Sequence, residues 1–364
     1  MRSYLDAVMA QPDNLAASGS AFRAALAGSA GRAALGALGG GRMAVLGMGA
    51  SAAAALAFAA TLRRVGRAAV AVGAADCVPG LADGYLAISQ SGRSSETVEA
   101  IGLLERGRVA LTNDPHSAVA TAADVVLPLG SGADSRVSTL SYTATVQALG
   151  LLAEALHPEL STVDWTALPG LLTDLLDLEI EPVVDALVTA GCVDVIGGGA
   201  RAGSAMAAAL LLREAAHLPS AGYATREYLH GHLEIAGLGH AALMFGSGRE
   251  LRPAADLARY GSAVVLITDA AGDIPAHPHL RVVRLPALPS APGPAGRGRS
   301  PAGRGADAGL AGCVLDIVPV QLAARRIAQR KGLPIELRHM PDDTKVPGSG
   351  TGGRLPVEGQ AAGR

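Results

Sequence analysis

The stretch that decides the fold is Ser89-Gln90-Ser91-Gly92-Arg93-Ser94-Ser95-Glu96-Thr97, with five hydroxyls in nine residues. It follows the apolar run Leu86-Ala87-Ile88 and leads into a segment of helical period, so it reads as a turn between a strand and a helix. Backbone N–H groups at a helix N-terminus are unpaired and carry partial positive charge, which suits an anion. Hydroxyl donors in the same turn let a phosphate be held without lysine. Gly92 permits close backbone approach or a positive φ. The plainer alternative is a helix cap. Ser94 lacks the acid that completes a capping box, since Thr97 stands there, although Ser95 and Glu96 could cap alone.

Working outward, short β-branched runs alternate with Ala/Leu-rich helical stretches, the pattern of βαβ units and a parallel sheet. In the first half, strands are expected at Met43–Leu46, Ala69–Val72, Leu86–Ser89, Val109–Thr112 and Val125–Leu127. Helices fit after Ser51, over Thr97–Arg106 and over Ser138–Leu156, with a further apolar helix at Leu171–Ile180. The second half starts again: Val193–Ile196 runs into Gly197-Gly198-Gly199 and an Ala-rich helix, Gly203–Ala216. Strands follow at Ala241–Phe245, Val264–Thr268 and Val282–Leu285, and a last helix at Leu315–Lys331. The expectation is an α/β fold: two tandem Rossmann-like units, each a parallel sheet flanked by helices in three αβα layers. Parallel sheets take ligands beyond the carboxyl ends of their strands. Ser51 follows the first strand, and Ser135, Ser138 and Thr139 follow the last one of the first half, so hydroxyls would rim one crevice.

The 364 residues suit two domains, and 49% hydrophobic against 17% charged excludes a disordered chain. A net charge of −2 with 3% aromatics offers nucleic acid neither a basic field nor a stacking platform. The three scattered cysteines, Cys77, Cys192 and Cys313, indicate no disulfide framework and no CxxC zinc site, and a reducing cytoplasm is the expected setting. No secretory signal is visible. Met43–Leu62 is free of charge and long enough on paper to span a bilayer, but Gly47-Met48-Gly49-Ala50-Ser51 breaks it into strand, turn and helix, so no membrane partner is expected. Pro286–Gly309 is rich in Pro, Gly, Ser and Arg and reads as a flexible insertion, and the Gly-rich tail from Gly348 reads as disordered.

The loop Ser89-Gln90-Ser91-Gly92, followed by Ser94, resembles the phosphosugar loop of the sugar isomerase (SIS) family. The particular likeness is to the two-domain isomerase half of the glucosamine-6-phosphate synthases and their relatives that lack a glutaminase domain. Gln11-Pro12, Gly49-Ala50-Ser51, Val137-Ser138-Thr139, Leu212-Arg213-Glu214 and Glu227-Tyr228-Leu229-His230-Gly231 add to it. The resemblance covers roughly 5–346 outside the insertion. It implies a first SIS domain over 30–160, a connecting helix over 161–185, a second SIS domain over 186–346 with the insertion 286–309, and a tail over 347–364. It also implies that Ser51, Ser89, Gln90, Ser91, Ser94, Ser138 and Thr139 contact phosphate and sugar. Glu214 would shuttle a proton between C1 and C2, as a carboxylate screened from water can. His230 would assist ring opening, reaching a neighbouring subunit's site, and Lys345 would condense with the open-chain sugar.

The implied activity is isomerase or deaminase chemistry on an aminated hexose phosphate, for example glucosamine 6-phosphate to fructose 6-phosphate plus ammonia or the reverse, in a homodimer. No cofactor and no metal are implied; the spacing of His230, His232, Glu227 and Glu234 is of a kind common by chance. Leu140 and Leu211 stand where the family has lysines, and His230-Gly231-His232 where it has His-Gly-Pro. The rival readings are a deglycase of fructosamine-type conjugates of an amino acid and a sugar phosphate, which needs a wider pocket, and a sugar-phosphate-binding protein without catalysis.

Overall fold

The first half has five strands, the three central ones buried on both faces as a covered parallel sheet requires and the two edge ones only partly buried. They are β1 (Met43–Gly47), β2 (Ala69–Gly73), β3 (Gly84–Ile88), β4 (Arg108–Thr112) and β5 (Val125–Pro128). All pair in parallel, in the order β2-β1-β3-β4-β5. The second half repeats this with β6 (Cys192–Gly197), β7 (Ser220–Ala224), β8 (His240–Phe245), β9 (Ala263–Thr268) and β10 (Leu280–Arg284), in the order β7-β6-β8-β9-β10. The computed structural model describes residues 2–291, 309–337, 339 and 342–347. The rest of the insertion, 292–308, and the tail from Gly348 lie outside the described residues.

Helices before and between the first five strands are α1 (Tyr4–Met9), α2 (Gln11–Ala27), α3 (Ser29–Gly39), α4 (Ala50–Arg64), α5 (Ser95–Gly102) and α6 (Ala118–Ala122). Then come α7 (Leu140–Leu156), α8 (Leu168–Leu176), α9 (Glu181–Leu187), α10 (Arg201–Ala216), α11 (Thr225–Tyr228), α12 (Leu251–Arg259) and α13 (Gly309–Arg330). Several bounds differ from the sequence expectation. The helix expected to run to Arg106 stops at Gly102. The one expected over Leu171–Ile180 ends at Leu176, and α9 starts afresh at Glu181. The final helix begins six residues early, at Gly309, with Pro319 inside it. The charge-free stretch Met43–Leu62 is a strand, a turn and a helix, and no helix among the described residues is long and apolar enough to cross a membrane.

Alanine content explains how the halves meet. α4 and α10 pack on each other, and a Cβ on Gly203 would lie 2.5 Å from the Ala53 carbonyl oxygen and 2.7 Å from the Ala57 Cβ. Only small residues allow two helices so near, and one apolar cluster runs through both halves. α13, last in the chain, wedges between α10 and α7 and also touches α4, α8 and α9. Its buried Asp316 accepts from Arg201 Nε (3.2 Å) and Ser204 Oγ (2.9 Å). Burial pushes that carboxyl up to about 6, with Arg201 pulling the other way. Removing one partner of such a pair strands a buried charge, at a cost of about 3–5 kcal/mol.

Candidate functional site

An order of 2-1-3-4-5 puts the switch point of the first sheet between β1 and β3, and a doubly wound sheet takes its ligand just beyond those carboxyl ends. The two segments singled out in the sequence emerge there. β1 ends at Gly47 and Ser51 falls in the first turn of α4, half-buried. β3 ends at Ile88, and Ser89 to Ser94 form the turn into α5. Gly92 makes that turn possible: its φ is +63°, and a Cβ there would lie 1.9 Å from Ser117 Oγ. Its N–H closes the turn onto Ser89 O (3.0 Å), and its carbonyl accepts from Val119 N (3.0 Å).

The capping alternative is decided by geometry. Ser94 is the N-cap of α5 but makes no side-chain cap bond, and Ser95 turns its hydroxyl to Glu96 Oε2 (3.1 Å). Ser89 Oγ, buried, instead donates to Ser94 Oγ at 3.4 Å. The helix end thus keeps donors that no side chain of the loop satisfies, next to paired hydroxyls. That is the arrangement an anion uses. Gln90 and Ser91 in the same turn are half-buried.

A narrow crevice lies beside α7, lined by Ser138 and Tyr142, by Ala50 of α4, by Leu211 and Glu214 of α10, and by Ile317 of α13. The Ala-rich contact of α4 with α10 is what carries a carboxylate of the second half to the first half's hydroxyls. Burial pushes the Glu214 carboxyl up to about 7. Ser138 Oγ lies 3.0 Å from Ser141 Oγ. Thr139 is fully buried, and its hydroxyl donates to Asp134 Oδ1 at 2.6 Å.

Asp134 escaped the sequence reading. It accepts from the N–H groups of Thr139 and Ser141 (2.9 Å each) and from both hydroxyls, holding the start of α7 in place. Its signal was faint: an Asp six residues before the start of a helix, in a Gly/Ser loop. Tyr142 was also missed; it is 3% exposed, and its hydroxyl has no partner among the described residues.

Lys345 arrives from the far end of the chain. Its amine donates to Ser91 Oγ at 3.2 Å, and its backbone bridges Ser94. Loss of water around the amine, then the charge of Arg93, holds its pKa below the usual lysine range, with Glu96 opposing. His230 lies elsewhere. It is exposed in the turn after α11 and donates its N–H to Glu227 O (2.9 Å). Of the residues singled out in the sequence, the crevice lining holds Ser138 and Glu214; Ser51, the Ser89–Ser94 turn, Lys345 and His230 are outside it.

Two doubly wound sheets are joined so that a carboxyl group of the second half shares a crevice with the Ser138 and Tyr142 hydroxyls of the first. Residues 40–155 match the family model of the SIS domain. The glutamine–fructose-6-phosphate aminotransferase of Bradyrhizobium diazoefficiens is 28% identical over 209 residues, 51% of this chain and 34% of the relative. That of Symbiobacterium thermophilum is 30% identical over 167 residues, 42% and 27% respectively. The chain thus spans about a third or less of the length of these relatives. Among solved structures, the C-terminal domain of the glucosamine–fructose-6-phosphate aminotransferase of Francisella tularensis superposes with a TM-score of 0.74 at 16% identity, covering 93% of this chain and 98% of that one. The glucosamine-6-phosphate deaminase of Thermotoga maritima gives 0.67 at 17% identity, with the same coverage. At such identities the likeness establishes the shared fold.

Proposed function

We propose that this chain is an enzyme acting on an aminated hexose phosphate, an aldose–ketose isomerase or deaminase that takes glucosamine 6-phosphate to fructose 6-phosphate and ammonia, or the reverse. The observation that carries the reading is Glu214: a carboxyl pushed up to about 7 in a crevice shared with Ser138. Moving a carbonyl between C1 and C2 requires a group that takes a proton from one carbon and returns it to the other. A carboxyl half-ionised near neutrality serves in both directions.

In this reading the turn Ser89–Ser94, with Ser51 and Ser138, holds the phosphorylated sugar, while Thr139, buried with its hydroxyl spent on Asp134, fixes the start of α7 instead of touching the ligand. The neutral amine of Lys345 adds to the C2 carbonyl and releases its oxygen as water, leaving an imine. His230, too exposed to serve the crevice of its own chain, assists ring opening in the site of a second copy, which makes the working unit a homodimer. The chain works in the cytoplasm without a cofactor.

The test is exchange of the C2 proton of glucosamine 6-phosphate with solvent deuterium. Glu214→Gln should bind the sugar phosphate by calorimetry with little change and lose exchange by about 10²–10⁴-fold. If wild-type protein binds the ligand but exchanges nothing, the protein is a binder and the enzyme reading falls.

Leu211 favours a second reading. It is an apolar wall beside Glu214 where the family has a lysine, which takes a cation out of the crevice and suits a sugar that carries an amino acid in place of a free amine. That substrate would make the reaction a deglycation, and release of free amino acid from a fructosamine 6-phosphate conjugate would identify it.

A further inference from the structure

The chain returns to the phosphate loop at its far end, and the return is fastened at one residue. Val346 N donates to Arg93 O (2.9 Å) and the Arg93 guanidinium Nε donates to Val346 O (2.8 Å), so Arg93 grips one residue with both backbone and side chain. Immediately before it, Lys345 pairs with Ser94 in an antiparallel bridge and sets its amine on Ser91 Oγ. A short turn, Asp342–Thr344, leads into this segment against α5. Lys345 as a whole is exposed, so little apolar packing fixes it.

We propose that Arg93 is a positioning residue, whose guanidinium clasps Val346 so that the Lys345 amine is held against the phosphate loop. The proposal rests on the reading above insofar as Lys345 is the amine that meets the sugar. The clasp itself is independent of any substrate. Two of its properties follow from elementary chemistry. A charged donor on a carbonyl is stronger than a neutral one, so the side chain adds materially to the single backbone bond it accompanies. Its positive charge beside a second cation also favours the neutral, nucleophilic form of the amine, while Glu96 on α5 works in the opposite sense. One side chain thus both places the amine and helps to keep it reactive.

The chain has only two lysines, Lys331 and Lys345, which makes the test clean. Acetic anhydride labelling across pH, read by mass spectrometry, follows each amine separately. In Arg93→Met the labelling midpoint of Lys345 should move up, with Lys331 in the same digest as the reference. Trypsin should also cut after Lys345 several-fold faster than in wild type, while cutting after Lys331 at an unchanged rate. Arg93→Gln, which keeps an N–H but no charge, should recover part of the protection and none of the lowered midpoint. If both the Lys345 midpoint and its cleavage rate are the same in wild type and Arg93→Met, the proposal is overturned. Glucosamine 6-phosphate binding to the same proteins separates the two ideas. A wild type that binds none sinks the functional reading and leaves the clasp standing. A wild type that binds, beside an Arg93→Met protein with an unmoved Lys345, sinks the clasp alone.

Discussion

The two sheets have one strand order and therefore two equivalent switch points, yet they are furnished in opposite ways. Between β1 and β3 the turns present Ser51 and Ser89 to Ser94, and the N-cap hydroxyl of α5 is left off the helix. Between β6 and β8 the turns are Gly197-Gly198-Gly199 and Gly246-Ser247-Gly248, and a carboxylate fills the space. Glu250 accepts from Thr225 Oγ1 at 2.9 Å, and a Cβ on either Gly198 or Gly246 would lie 2.5 Å from one of its oxygens. The Glu250 side chain thus fills the space between these turns. Repeating an architecture has not repeated a site. The second half lends the first half Glu214 and closes its own crevice.

The comparison breaks hardest if the first crevice can be given the second one's carboxylate without loss. Ser94→Glu puts an anion at the N-terminus of α5, where the helix tolerates it and the fold should persist. Glucosamine 6-phosphate affinity should then fall at least about 100-fold, roughly 3 kcal/mol, by calorimetry. An affinity within about threefold of wild type would mean that phosphate does not sit on this loop. Next in size is Gly92→Ala. Its positive φ and the 1.9 Å approach to Ser117 Oγ force the loop to move, at a cost of about 2–3 kcal/mol in urea unfolding. Gly198 of the second crevice instead faces the flexible end of Glu250, which can give way.

Glu214 supplies a smaller effect whose sign is fixed by linkage. Its carboxyl sits at about 7 in the fold against an ordinary 4.5, so folding favours the protonated form. That contribution is complete below about 4.5 and is lost as pH rises through about 7. Glu214→Gln, which cannot ionise, should therefore gain about 1–2 kcal/mol on wild type at pH 8 and nothing at pH 4. Equal stability of the two proteins at both pH values would show that the carboxyl is not held in an apolar site.

How much of this could be read from the sequence depended on whether the deciding contacts are local. β1, β3, β4, β6, β8 and β9 announce themselves as apolar runs, and the Ser89–Ser94 turn as a cluster of hydroxyls after one of them. β7, Ser-Ala-Gly-Tyr-Ala, does not: it has no β-branched residue and is a strand because β6 offers an edge and α10 lies close enough for Gly222 to meet Met206. The N-terminal helix α2 carries little periodic signal, and α1 is too short to show one. They are held by remote partners, as where Gln11 reaches Gln321 (2.7 Å) and Thr143 reaches Gln11 (3.0 Å). Glu214 was legible as a residue, but not the burial that shifts its titration, which depends on α4 and α10 meeting. Arg93 looked like one more charge in a loop until the far end of the chain came to rest on it.

The smallest effect tests the other half of the comparison. Glu250→Ala removes the carboxylate from the second crevice and leaves the Thr225 hydroxyl without its partner. The expected cost is about 1 kcal/mol of stability, the usual worth of one such bond, with glucosamine 6-phosphate affinity unchanged within about twofold. The more telling measurement is stoichiometry. If an anion-filled crevice is a closed site rather than a missing one, emptying it should let inorganic phosphate protect Gly198 and Gly246 from amide hydrogen exchange at millimolar concentration. Protection confined to the Ser89–Ser94 loop in both proteins would show instead that glycine turns with Ser247 as their one hydroxyl make no phosphate site even when vacated. In that case the difference between the halves lies in the serines and not in Glu250.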